Sequence, residues 1–262
     1  MKTFWKSKYS RLGICILLVL TFFTVLVPFL PFYDPVTQNA DLRNAGSSLM
    51  HLFGTDKFGR DIFSRVWYGA EISMKVGILA SLISSIVGLL YGGIAGYAGK
   101  KTDMIMMQAA DIVDSIPSLL YVILFMLLFG ASVKTVILGI CISGWTRMAR
   151  VVRGEILRLK EMDYILAARL EGSGAMRILI KQMLPNLKEK VILNAVLLVP
   201  EAIFTEAFLS FLGVGIAAPA ASLGTLIQEA RSQMQIYPTQ MMWPVLVLVL
   251  LIFSLNLIVR EN

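Results

Sequence analysis

The chain has 262 residues, of which 57% are hydrophobic and only 16% charged. A soluble domain carries about 25% charged and 45–50% apolar residues, so this composition excludes an ordinary soluble enzyme and indicates a membrane protein. The net charge of +7 does not signal nucleic acid, because no polar domain is present to display it.

A helix needs about 20 mostly apolar residues to cross the hydrocarbon core. Six segments qualify: residues 12–31, 73–97, 104–129, 133–151, 191–212 and 240–259. Backbone polar groups in lipid must be satisfied within each segment, which makes these spans helices. The first follows Lys2, Lys6, Lys8 and Arg11, as a signal peptide would. Its apolar run is too long and no small-residue cleavage site follows, so it reads as an uncleaved anchor. Three regions result: residues 1–31, an N-terminus and first span; 32–72, an extracytoplasmic segment; and 73–262, a core of five helices. The core contains a long polar loop, 152–190.

Lys and Arg accumulate on the cytoplasmic side. With the N-terminus inside, the inner segments 1–11, 98–103 and 152–190 hold fourteen of them, against five in the outer segments 32–72 and 213–239. Both termini are therefore expected in the cytoplasm. The loop 152–190 is charged yet patterned, with Ile165, Leu166, Ala168, Leu170, Ile178, Leu179 and Ile180 at helical steps. An amphipathic helix of this kind needs an apolar partner, either the membrane surface or a soluble protein.

Within the spans, small residues of the second, Gly77, Ser81, Ser84, Ser85 and Gly88, suit close helix packing. Intramembrane charge faces a cavity or a partner. Asp111 and Asp114 lie in the third span, and Glu201 and Glu206 in the fifth, near the kinking residues Pro117 and Pro200. Two readings stand: Glu201 or Glu206 faces a translocation path or a sister subunit, or these carboxylates make salt bridges between helices or lie near the headgroups. Cys15 and Cys141 sit in apolar runs without a CxxC spacing, and His51 stands alone in a polar segment, which argues against disulfide or metal sites. The fourteen methionines show no regular spacing and read as fillers of irregular contacts. The stretch Gly96–Thr102 imitates a phosphate-binding loop, but Ile94 stands where its first glycine belongs and Lys101 where Ser or Thr belongs. A serine–histidine pair, facing aspartates or a zinc motif for proteolysis inside the membrane is equally lacking.

Three stretches carry a family resemblance. They are His51-Leu-Phe-Gly54-Thr55-Asp56-Lys-Phe-Gly59-Arg60-Asp61; Gly93-Ile-Ala-Gly96-Tyr97-Ala-Gly99, followed by Asp103, Asp111 and Pro117; and Ala167-Ala168-Arg169-Leu-Glu-Gly172, followed by Leu184-Pro185-Asn186. Across about residues 10–256 the chain resembles the second permease subunit of the ABC-type dipeptide, oligopeptide and nickel importers. Gly54, Thr55, Asp56, Gly59, Arg60 and Asp61 match the signature of that subfamily. In the loop motif Leu166 replaces the family's Glu and Gln182 its Ile, and after Asn256 the chain departs from the family's usual continuation.

The resemblance implies an all-α, six-span type I ABC importer permease fold with a cytoplasmic coupling helix. Ala167, Ala168, Arg169, Gly172, Gly174, Leu184 and Pro185 are then the docking residues, with Pro185 ending the helix. Implied partners are a sister permease, two cytoplasmic ATPases and an extracytoplasmic solute-binding protein, in an inner membrane. The ATPases bind ATP and magnesium, and this chain binds no cofactor and catalyses nothing. The stretches Glu206–Gly213 and Ala221–Ile227 look most like the oligopeptide branch; nickel, glutathione and opine importers share the family. An ion-driven secondary transporter is a rival reading, which would show inverted repeats; a non-transporting scaffold is another.

Overall fold

The computed structural model describes residues 8–30 and 34–259. The charges on Lys2 and Lys6, the end of the first predicted span and the last three residues, 260–262, lie outside the described residues. The elements in chain order are α1 (Lys8–Leu26), α2 (Ile62–Ala98), α3 (Lys100–Asp114), α4 (Ser118–Phe129), α5 (Val133–Lys160), α6 (Asp163–Leu170), α7 (Ala175–Ile178), α8 (Leu184–Phe211), α9 (Leu223–Arg231) and α10 (Pro238–Val259). Among the described residues the only β pairing noted outside helices is an isolated bridge between Thr55 and Asp61.

Five continuous helical stretches are long and apolar enough to cross a membrane. A sixth exists only as a broken pair, α3 and α4, bent by 74°. The third predicted span is therefore corrected from one helix to two. The cause is Pro117, which starts the new segment with extended backbone (φ −53°, ψ 131°) and disfavours helix at the residue before it. Carbonyls near the break find side-chain donors: Ser115 Oγ donates to Ile112 O at 2.7 Å and Tyr121 Oη to Val113 O at 3.0 Å. Without such donors a break inside hydrocarbon would strand polar backbone.

Helices α2, α5 and α8 are longer than predicted. Helix α2 has 37 residues, about 55 Å at 1.5 Å per residue, against a hydrocarbon core of about 30 Å. It begins well before residue 73 because Asp61 caps it, accepting from Ser64 N at 2.7 Å. Helix α5 runs past residue 151 to Lys160, so the polar loop begins as a helical extension rather than as a turn.

Pro185 does not end a helix, contrary to expectation. The chain is helical from Ala175 through Phe211, with a π-helical turn at Leu179–Met183 where Leu184 N donates to Leu179 O. Pro185 occupies the first turn of α8. A proline lacks the N–H and collides with the preceding turn; the widened π turn just before it accommodates both effects.

The bundle is held by close approach of α2 and α5. A Cβ on Gly92 would stand 2.2 Å from Ala149 O, and one on Gly88 2.6 Å from Trp145 O. Glycine is required at both positions, because any larger side chain would force the two backbones apart. Three apolar clusters form the interior. One joins α1, α9, α10 and the start of α2 around Trp67 and Leu251. A second joins α2, α4, α5 and α8 around Val76 and Ile140. The third, around Ile156, Ile165 and Met183, fastens α6 and α7 to the ends of α5 and α8.

Candidate functional site

Three sets of polar residues stand out, at one end of the bundle, in its middle and at the other end.

The Gly-Thr-Asp…Gly-Arg-Asp signature folds into a clamp. Gly54 and Gly59 adopt φ +76° and +73°, which glycine alone takes without cost. Asp56 accepts from Arg60 Nε at 2.7 Å, and Arg60 and Arg65 both reach Glu229 on α9, at 2.5 and 3.0 Å. Asp61 caps α2 and accepts from or pairs with His51 Nδ1 at 3.0 Å. Thr55 O accepts from Gln240 of α10 at 3.1 Å. The signature thus ties segment 34–61 to α2, α9 and α10, and its residues are largely buried.

In the middle, the α3–α4 elbow faces α5 and α8 across a cleft of about 420 Å³ lined by Asp114, Ser143, Thr146, Arg147, Arg150 and Glu201. Arg147 pairs with Glu201, and their side chains are 60% and 49% exposed. Arg150 pairs with Asp114 and, at 2.9 Å, with Asp111; Thr146 Oγ1 donates to Asp114 at 2.6 Å. Arg147 and Arg150 fall inside the fourth predicted span, outside every motif of the sequence; the signal that finds them is intramembrane charge. For Glu201 the salt bridge between helices is what the structure shows, and that bridge lines a polar cleft.

Glu206 is different. It has no exposed surface and accepts from Ser210 at 2.7 Å and Ser73 at 3.2 Å. Ser73 in turn accepts from Leu223 N at the start of α9. Glu206 is thus a packing group joining α2, α8 and α9, and is removed from the residues that face the cleft.

At the far end, α5 leads into the short helix α6. Arg153 holds Asp103 with two bonds, at 2.5 and 2.6 Å. Glu155 pairs with Lys190 and with Arg158, and Lys160 Nζ donates to Tyr97 O at 2.8 Å. These contacts make the ends of α2, α3, α5 and α8 one unit. Helix α6 closes with Gly172 N to Arg169 O and Ser173 N to Ala168 O, both 3.0 Å, with Gly172 at φ +80°. That is a Schellman cap.

The predicted docking residues divide. Ala167, Arg169, Gly172, Gly174 and Pro185 are exposed and Leu184 half-buried, whereas Ala168 is buried. Ala168 packs inward with Ile165 and Ile178, so it supports α6 instead of presenting a surface. The outward face carries residues the motif did not name: Leu170 at 90% exposed, Met176 at 67% and Ile180 at 53%. Their apolar character in a charged loop was the available signal.

Residues 88–260 match the family model described as the binding-protein-dependent transport system inner membrane component. The chain belongs to that family. Among similar proteins, a dipeptide transport system permease protein, DppC, of Bacillus subtilis is 45% identical over 86% of this chain and 70% of its own length. An oligopeptide transport system permease protein, OppC, of the same organism is 38% identical over 98% of this chain and 85% of its own. Its Escherichia coli K12 counterpart is 34% identical over 98% and 86%. A chain of the inward-facing MetNI methionine ABC transporter superposes with a TM-score of 0.58 at 19% identity, covering 73% of this chain and 93% of that one. This likeness shows the fold, that of a type I ABC importer permease. As a family member the chain is a multi-pass membrane component of a transport system, and the cleft and α6 belong to a permease.

Proposed function

We propose that this permease forms half of the translocation pore of an ATP-driven importer of short peptides, with a sister permease forming the other half. Both termini lie in the cytoplasm, following the distribution of Lys and Arg. Two cytoplasmic ATPases, which bind ATP and magnesium, dock on α6, and an extracytoplasmic solute-binding protein delivers the peptide. The chain itself performs no chemistry.

The observation that carries the reading is the outward face of α6. Leu170 stands 90% exposed on a helix anchored from beneath, and exposed apolar surface on a fixed support marks a contact site. Helix α5 joins that contact to the membrane interior. Its 28 residues span about 42 Å, and its end next to α6 is braced by Arg153–Asp103 and Glu155–Lys190. A push on α6 therefore moves α5, and α5 carries Arg147 and Arg150 in the cleft. The peptide substrate follows from the named relatives, all of them peptide or dipeptide permeases. His51 is engaged by Asp61, which counts against a direct role in nickel ligation.

The test is uptake by the complex, purified with its partner subunits and reconstituted in vesicles. A labelled dipeptide presented on the binding protein enters only when ATP is supplied on the ATPase side. Uptake that persists without ATP, driven by an ion gradient, would contradict the proposal.

A further inference from the structure

The elbow cleft has more detail than a polar pore wall requires. It holds charges of both signs, arranged as two adjacent ion pairs, Arg147–Glu201 and Arg150–Asp114, with Asp111 behind the second as a further partner of Arg150 at 2.9 Å. Arg147 and Arg150 are three residues apart on α5, so their bases stand about 5–6 Å apart on one face. An extended dipeptide separates its terminal ammonium and carboxylate by about 7 Å, at 3.3–3.6 Å per residue. The cleft volume of about 420 Å³ lies in the range of pockets that enclose a small ligand. Ser143 and Thr146 supply hydroxyls along the same wall.

Resting on the permease reading above, we infer that this cleft is a transient station for short zwitterionic peptides, where the two ion pairs open and re-form around the peptide termini. The terminal ammonium takes a carboxylate, Glu201 or Asp114, and the terminal carboxylate takes the guanidinium released, Arg147 or Arg150. Charge is conserved throughout, since each internal pair is exchanged for a pair of the same kind. Half-exposed ion pairs are weakly held, so the exchange is easily reversed, as a path requires: a station that bound tightly would stall transport. In the absence of peptide each guanidinium already has a carboxylate partner, which keeps charge from standing unpaired inside the membrane. The station lies about 21 Å along α5 from Val133, beside the break at Pro117, which itself lines the cleft.

The experiment compares three labelled probes carried by the binding protein at saturation: a free dipeptide, its C-terminal amide and its N-acetyl form. With Arg147→Gln, uptake of the free dipeptide falls about ten-fold, while the amide keeps the rate it has in the parent complex. With Glu201→Gln, the free dipeptide falls similarly and the N-acetyl form keeps its rate. Equal loss for all three probes, or no loss for any, overturns the station. Co-purification of the ATPases with each variant separates this outcome from failure of the permease reading itself. Should either variant not assemble, Ser143→Cys gives a second readout: free dipeptide slows its labelling by a small polar thiol reagent several-fold, and the amide does not. Equal protection by both probes, or none, again overturns the inference.

Discussion

Leu170 and Ala168 stand two positions apart on α6 and face opposite ways, which makes their substitutions diagnostic. Leu170→Asp places a charge on an exposed surface, where stability changes by less than about 0.5 kcal/mol. It is expected to release the ATPases, weakening their retention about 30-fold, as loss of a central apolar contact of about 2 kcal/mol does, with the melting temperature of the permease unchanged. Ala168→Asp forces an unpaired carboxylate among Ile165, Ile178 and Met183; it lowers the melting temperature itself, by the several kcal/mol that such burial costs. Asp61→Ala removes the cap of α2 and the partner of His51, for a loss of about 1–2 kcal/mol measured by denaturant unfolding in detergent. Residue roles were the least legible part of the sequence. The motif pointed to Ala168, but a motif does not say which way a side chain points. The Gly-Thr-Asp…Gly-Arg-Asp run was visible as a signature. Its work as a clamp was not, because Arg60 meets Glu229 from 169 positions away.

At the scale of elements, hydropathy located the spans and missed how they end. The window that found residues 104–129 averages over Ser115–Pro117 and is blind to a 74° bend. Pro117 was noted as a kink, yet a kink and a full break differ by whether nearby side chains cover the freed carbonyls, as Tyr121 and Ser115 do here. Pro185 misled in the opposite sense, since a π turn let the helix run through it. The small residues of α2 were read correctly: Gly77, Ser81, Ser84, Ser85 and Gly88 are all buried. Two predictions belong to this scale. Gly92→Val drives a side chain into Ala149 O, which a Cβ alone would meet at 2.2 Å. It is expected to cost about 3 kcal/mol and to reduce the yield of folded protein in size-exclusion chromatography. Pro117→Ala permits α3 and α4 to join as one helix, which closes the cleft at the elbow. Peptide uptake then falls while the ATPases still co-purify, because α6 is untouched.

For the whole molecule, one long lever joins two surfaces. The glycine-lined contact of α2 with α5 and the ion pairs at the end of α5 join α2, α3, α5 and α8 at the end that carries α6, which is the rigid connection the proposed coupling requires. The topology proposed from the distribution of charge is directly measurable. In a background free of Cys15 and Cys141, a cysteine replacing Leu49, which is 98% exposed, reacts with a membrane-impermeant thiol reagent added outside intact cells. A cysteine replacing Met176 reacts only after the membrane is opened. The most direct test of the account places a photo-crosslinking amino acid at position 170 of the full chain in its native membrane. The account predicts a covalent adduct with an ATP-hydrolysing subunit, formed from position 170 and absent from position 49. An adduct with lipid or with the binding protein alone, and none with an ATPase, would contradict it.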